Sequence, residues 1–278
     1  MEQPAAAVEQ AASRLVPRWP PSARPYGAEL STAGILTVFL GMTALTYLLV
    51  WAMPQGLNAT GFAGRLAVIH CLELALWLSI VGLLGWWRAA GLAASSASPW
   101  GIVPITAFCL ATLLAARLPD AVPFGAGYLV FVISDCLGAI REEVAFRGFL
   151  LHGLTRRLGG TSAALVGSML FAAYHVPRYL REQIPLTEMA GLLLVAFGVG
   201  VFLCRVRAET GSIWIPAAIH TLWNLLVGVG NWVFPDGDPP FGYSALQAAP
   251  FAVGIVMALL LLMPRRGTGP AKPLQQTA

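Results

Sequence analysis

The sequence predicts an all-α fold: a polytopic membrane bundle of about eight transmembrane helices. Three observations predict it. The chain has 278 residues, of which 57% are hydrophobic and only 11% charged. A soluble domain carries roughly 25% charge and about 45–50% apolar residues, so a water-exposed globule this poor in charge could not cover its surface. Second, apolar runs long enough to cross a hydrocarbon core of about 30 Å recur along the chain. Third, Arg, Pro and Gly fall between those runs. The composition excludes an ordinary cytosolic enzyme and a disordered chain. The formal net charge of +4 comes with no basic block, so nucleic acid is not an expected partner.

The eight stretches, in order, are Leu30–Met53, Leu66–Trp87, Pro99–Ala116, Gly125–Ile140, Thr161–Tyr174, Leu186–Leu203, Ser212–Gly230 and Ala245–Met263. The first holds no charge, and Arg65 and Arg88 bracket the second. Arg117 ends the third, Pro177 cuts the chain just after the fifth, and Arg205 closes the sixth. The eighth stops at Pro264-Arg265-Arg266. Residues 1–29 read as a disordered cytoplasmic segment, without a cleavable signal, so the first span is a retained anchor. Residues 30–263 form the transmembrane domain, and 264–278 a disordered cytoplasmic tail. With both termini inside, eleven of the 17 Lys and Arg lie on the cytoplasmic side and four outside, as the positive-inside rule requires. Arg outnumbers Lys sixteen to one, which points to a GC-rich gene and a bacterial plasma membrane. Cys71, Cys109, Cys136 and Cys204 lack metal or redox spacing and read as small buried apolar residues.

Function in such a chain is sought where charge survives in apolar surroundings, since a charge at the bilayer centre costs about 2.5–3.5 kcal/mol on insertion scales. The residues are His70, Glu73, Asp135, Arg141, Glu142, Glu143, Arg147, His175, His220 and Asn224. In Arg141-Glu142-Glu143-Val144-Ala145-Phe146-Arg147, Glu143 and Arg147 stand at i, i+4 and can neutralise each other. Glu142 is turned by about 100° from its neighbour, which leaves it a free carboxylate. His175 ends an apolar helix just before Pro177. His220 and Asn224 stand at i, i+4 on one helical face. Singly, each has a structural reading: a solvated helix end, a bonded interior His, a polar contact between helices. Together they place Glu, two His and Asn on three spans. Glu with His can activate water, and His with Asn can hold a developing oxyanion. Glu with two His could alternatively bind zinc. His70 and Glu73, at i, i+3, read as a structural pair. Asp135 reads as a bond to a neighbouring helix.

These residues resemble the pattern of the CPBP intramembrane proteases, also called the Abi or CAAX-protease family. That family includes type II CAAX prenyl endopeptidases and bacteriocin-processing or immunity proteins. Its pattern of Glu-Glu-x-x-x-Arg, Phe-x-x-x-His and His-x-x-x-Asn/Asp is met by Glu142-Glu143…Arg147, Phe171…His175 and His220…Asn224. The resemblance implies an endopeptidase core at about residues 125–230. Glu142, His175, His220 and Asn224 would be catalytic, with Glu143 and Arg147 supporting and Phe171 packing the site. The substrate would be a membrane-associated peptide or protein, within the lipid bilayer. No cofactor is favoured. The alternative is zinc or another divalent metal on Glu142, His175 and His220. A proton-coupled transporter and a non-catalytic immunity or scaffold protein are the competing functions. No His-Glu-x-x-His or Gly-x-Ser-x-Gly sequence supports another protease class.

Overall fold

The computed structural model describes residues 28–54, 59–93, 126–181 and 185–233. The expected spans Pro99–Ala116 and Ala245–Met263 lie outside the described residues, as do Cys109 and the tail 264–278. Every regular element among the described residues is helical. They are α1 (Thr32–Trp51), α2 (Ala59–Leu83), α3 (Ala126–Glu143), a π-helical segment (Val144–Leu150), α4 (Leu151–Leu158), α5 (Gly160–Tyr174), α6 (Val176–Arg181), α7 (Leu186–Thr210) and α8 (Trp214–Val233). Six of the eight predicted stretches thus coincide with helices. Among the described residues, three segments are long and apolar enough to cross a membrane: Thr32–Trp51, Gly61–Leu83 and Met189–Thr210.

Local signals explain the helix limits. Ser31 caps α1, its hydroxyl accepting from the Gly34 amide at 3.0 Å. Gly211 ends α7 at φ +65°, the left-handed closing residue that a missing Cβ permits. The fourth predicted span differs most from expectation. It does not end at Ile140 but continues through Glu143 into seven residues of π-helix, all buried. Its last turn is closed by the Leu151 amide on the Phe146 carbonyl, five residues back. Such wide turns recur at functional sites.

Packing sets α2 against α3, α8 against α3, and α5 against α7. The core is aromatic: Phe39 meets Phe146 edge-on at 5.0 Å, and Phe149 lies between Trp77 and Trp86 at 5.1 and 5.5 Å. Leu72, Leu83, Leu129 and Leu194 point outward instead, the arrangement for contact with lipid. Cys204 is buried as expected, but Cys71 is exposed on α2 and Cys136 is half-buried on α3. A thiol is apolar enough to face lipid, so the apolar reading of Cys71 stands and its burial does not.

The turn after α2 is tied to the end of α7 and the start of α8. The Ile213 amide donates to the Gly91 carbonyl, and Arg207 to that of Ala89 at 2.9 Å. Gly91 has φ +79°, and a Cβ there would meet the Arg207 guanidinium at 2.6 Å. Between α5 and α7, a Cβ on Gly200 would meet the Ser168 Cβ at 3.0 Å and its backbone Cα at 3.1 Å. We expect Gly200→Val to destabilise the purified protein by about 1–3 kcal/mol through overpacking. Gly191→Ala, on the same helix with open space around it, serves as the control, and thermal unfolding reads both.

On α4, outside the membrane spans, His152 packs edge-on against Trp86 at 4.9 Å. Burial, then repulsion from Arg156 and Arg207, pushes its pKa down from 6.5 to about 4. The folded state therefore resists the proton that the unfolded state accepts. Stability contributed by neutral His152 is present above pH 6.5 and is lost as pH falls towards 4. His152→Gln is expected to flatten the fall of the unfolding midpoint between pH 7 and pH 4.5, measured against the unmodified protein.

Candidate active site

The site is built where α3 passes into its π-helical continuation. Glu143 and Arg147 form an ion pair of 2.8 Å, both essentially inaccessible. Arg147 also reaches the Gly200 carbonyl at 3.4 Å and lies over the Phe171 ring, 4.5 Å from its centre. A third partner arrives from α8, on the same carboxylate oxygen that Arg147 holds. His220 Nδ1 stands 2.9 Å from Glu143 Oε1. A carboxylate only accepts, so Nδ1 carries the hydrogen. Glu143 thereby sets the orientation of His220 and leaves Nε2 pointing elsewhere.

That nitrogen faces Glu142. His220 Nε2 and Glu142 Oε2 are 3.8 Å apart, with His220 4% and Glu142 14% exposed. This separation is too long for a direct hydrogen bond, but both atoms can reach one water lying beside the line between them. Glu142 Oε1 is engaged on its other side by Arg141 Nη2 at 2.7 Å. The expectation of a free Glu142 is therefore corrected: the residue before it in sequence supplies its cation, and one carboxylate oxygen remains to face His220.

His175 closes α5. Its Nδ1 donates to the Phe171 carbonyl at 2.8 Å, and its ring stacks edge-on to Phe171 at 5.0 Å. Phe171 also contacts His220 at 5.8 Å and Phe146 at 5.0 Å. It acts as the apolar wall between the two histidines. Glu142 lies within electrostatic reach of His220, His175 and His70. Asn224 is half-buried one turn beyond His220 on α8, and among the described residues its amide makes no hydrogen bond. Five of the six named residues, with Phe171, are thus joined in one network, and Asn224 stands at its edge.

The proposed pairing of His70 with Glu73 does not form. His70 Nδ1 donates across to the Ser134 carbonyl on α3 at 2.9 Å. Glu73, 1% exposed, pairs instead with Arg141 Nη1 at 3.1 Å. The i, i+3 spacing allowed a contact, but each side chain found its partner on α3, against which α2 packs. Asp135 lies on α3 two turns before Glu142 and is half-buried. Tyr174 was not singled out in the sequence. Its hydroxyl accepts from Arg141 Nη1 at 2.7 Å, and its backbone carbonyl accepts from the Tyr47 hydroxyl of α1. Its place immediately before His175 was the one available signal.

Among the described residues, no group of three or more His, Cys, Asp and Glu side chains is placed to hold a metal ion. Of the Glu142, His175 and His220 set, Glu142 already holds a guanidinium on Oε1, and its Oε2 faces His220 Nε2.

No curated protein and no solved structure matches the chain. A family model does match, over residues 123–226, a range that contains Glu142, Glu143, Arg147, Phe171, His175, His220 and Asn224. Its description is Rce1-like, type II CAAX prenyl endopeptidase. With three helices among the described residues long and apolar enough to cross a bilayer, this is an integral membrane protein, and its site-bearing residues 123–226 are similar to the Rce1-like type II CAAX prenyl endopeptidases.

Proposed function

We propose that the protein is an intramembrane endopeptidase that hydrolyses a peptide bond of a membrane-associated protein or peptide with Glu/His-activated water. The observation that carries this reading is the pairing of Glu142 Oε2 with His220 Nε2 across 3.8 Å, each held from behind by a buried partner. In the reaction, Glu142 Oε2 takes one proton of the water while His220 Nε2 accepts a hydrogen bond from the other. The hydroxide attacks the scissile carbonyl. Asn224 donates to the oxyanion, and Glu142, with His175, returns the proton to the leaving amine. Water is consumed, one amide bond breaks, and a carboxylate and an amine result. General acid–base catalysis of this kind contributes about 10²- to 10⁴-fold. No step needs a metal in this reading. Metal analysis of the purified protein tests that choice: stoichiometric zinc bound through Glu142, His175 and His220 would replace it.

In this proposal the chain has eight spans, both termini in the cytoplasm of a bacterial cell, and its protease core at 125–230. The match to prenyl endopeptidases makes a lipidated peptide the first substrate class to try. The deciding experiment compares the membrane proteome of cells carrying the unmodified protein with that of cells carrying Glu142→Gln. An uncut precursor accumulates in the variant. Equal processing in both sinks the mechanism, and rescue of function by Glu142→Gln would make the protein a scaffold.

A further inference from the structure

We propose that Arg141, braced by Glu73 of α2, is a positioning residue that sets Glu142 and the His175-bearing end of α5 at their working separation. This deepens the endopeptidase reading and rests on it. Glu73 lies outside the family-matched residues 123–226, so an N-terminal helix without a motif completes the site.

The geometry is a fork. Arg141 is 4% exposed on α3. Its Nη2 holds Glu142 Oε1 at 2.7 Å. Its Nη1 serves two helices, donating to the Tyr174 hydroxyl at 2.7 Å and pairing with Glu73 Oε2 at 3.1 Å. The guanidinium also lies over the Tyr174 ring, 5.5 Å from its centre. A planar, always-charged fork holds several acceptors in fixed directions, which a lysine cannot do. By occupying Oε1, Arg141 decides which Glu142 oxygen faces His220. By holding Tyr174, it fixes the residue before His175. Glu73 fixes the fork itself from behind, where a single Glu142 would leave half of it without an anion.

Arg141 and Glu73 touch neither the water nor the substrate in this arrangement, so their effect falls on kcat. The test uses the full chain in lipid vesicles, with the precursor that accumulates in Glu142→Gln membranes as substrate. Arg141→Met is expected to lower kcat by about 10- to 100-fold, the cost of misplacing reacting groups by about 1 Å. KM should stay within about twofold, and Arg141→Lys should recover part of the loss. Glu73→Gln should lower kcat less, and the double variant Glu73→Gln/Arg141→Met should be no worse than Arg141→Met. Tyr174→Phe, a mild change that keeps the ring, should lower kcat by a smaller factor. Multiplying effects in the double variant, a rise in KM at constant kcat, or no recovery with Lys would overturn the proposal. Unfolding midpoints of Arg141→Met, Glu73→Gln and the double variant, set against the unmodified protein, give a readout independent of turnover: coupling between Glu73 and Arg141 is expected, and additive shifts would also overturn it. If Glu142→Gln itself processes normally, the endopeptidase reading has failed, and the unfolding cycle still decides whether Arg141 is held by Glu73.

Discussion

Replacing Glu142 by Gln is expected to lower kcat by at least about 10²- to 10⁴-fold with little change in KM, the loss associated with removing a general base. The argument is one of atoms. Gln keeps an oxygen that can accept from Arg141 Nη2, so the contact at 2.7 Å can persist. What it loses is the second anionic oxygen, the one that faces His220 Nε2. An amide there cannot take a proton from water. The fold should therefore survive: its unfolding midpoint should match that of the unmodified protein, while single-turnover cleavage disappears. His220→Ala is expected to be nearly as damaging, because it removes the second contact to the water and leaves Glu143 without its α8 partner. A Glu142→Gln protein with full turnover would remove Glu142 from the mechanism.

The second large effect concerns stability. Arg147→Ala is expected to cost about 3–5 kcal/mol, because it leaves the wholly buried Glu143 carboxylate without its cation. It also removes the contact with Gly200 and the stacking on Phe171. Exchanging both charges together, as Glu143→Leu with Arg147→Met, should restore most of the lost stability, since apolar replacement of a buried pair is often neutral or better. It should not restore turnover, because His220 then has no acceptor to orient it. Denaturation of the purified variants, set beside their cleavage rates, separates the two roles. If the double variant cleaves normally, Glu143 is a brace for the fold and nothing more.

Much of this site is legible in the chain because its parts are close in sequence. Glu143 and Arg147 meet within one stretch of α3 and its continuation, and the spacing predicts their contact whether the turn is α or π. Phe171 and His175 likewise share a turn, as do His220 and Asn224. What was not legible is every partner reached across helices. His70 and Glu73 look like a pair from their spacing, yet one bonds Ser134 and the other Arg141. Glu142 looks free because no Lys or Arg stands at its own i+4 position. Its cation is the adjacent residue, whose guanidinium also contacts Glu73 and Tyr174 on other helices.

The sequence by itself determined the class and the candidates. Scarcity of charge forces a membrane protein, apolar run lengths set where its helices lie, and the few polar residues stranded in those runs name the site. The tertiary structure decided their partners, the π-helical passage after Glu143, and the entry of α2 into the site through Glu73. The physical reason is that helical periodicity ranks neighbours within a helix, whereas the rotation of one helix against another is set by packing. In spans that are apolar nearly all round, no polar face marks that rotation in advance, and lipid does not select one. Only the packed bundle shows which buried charge answers which.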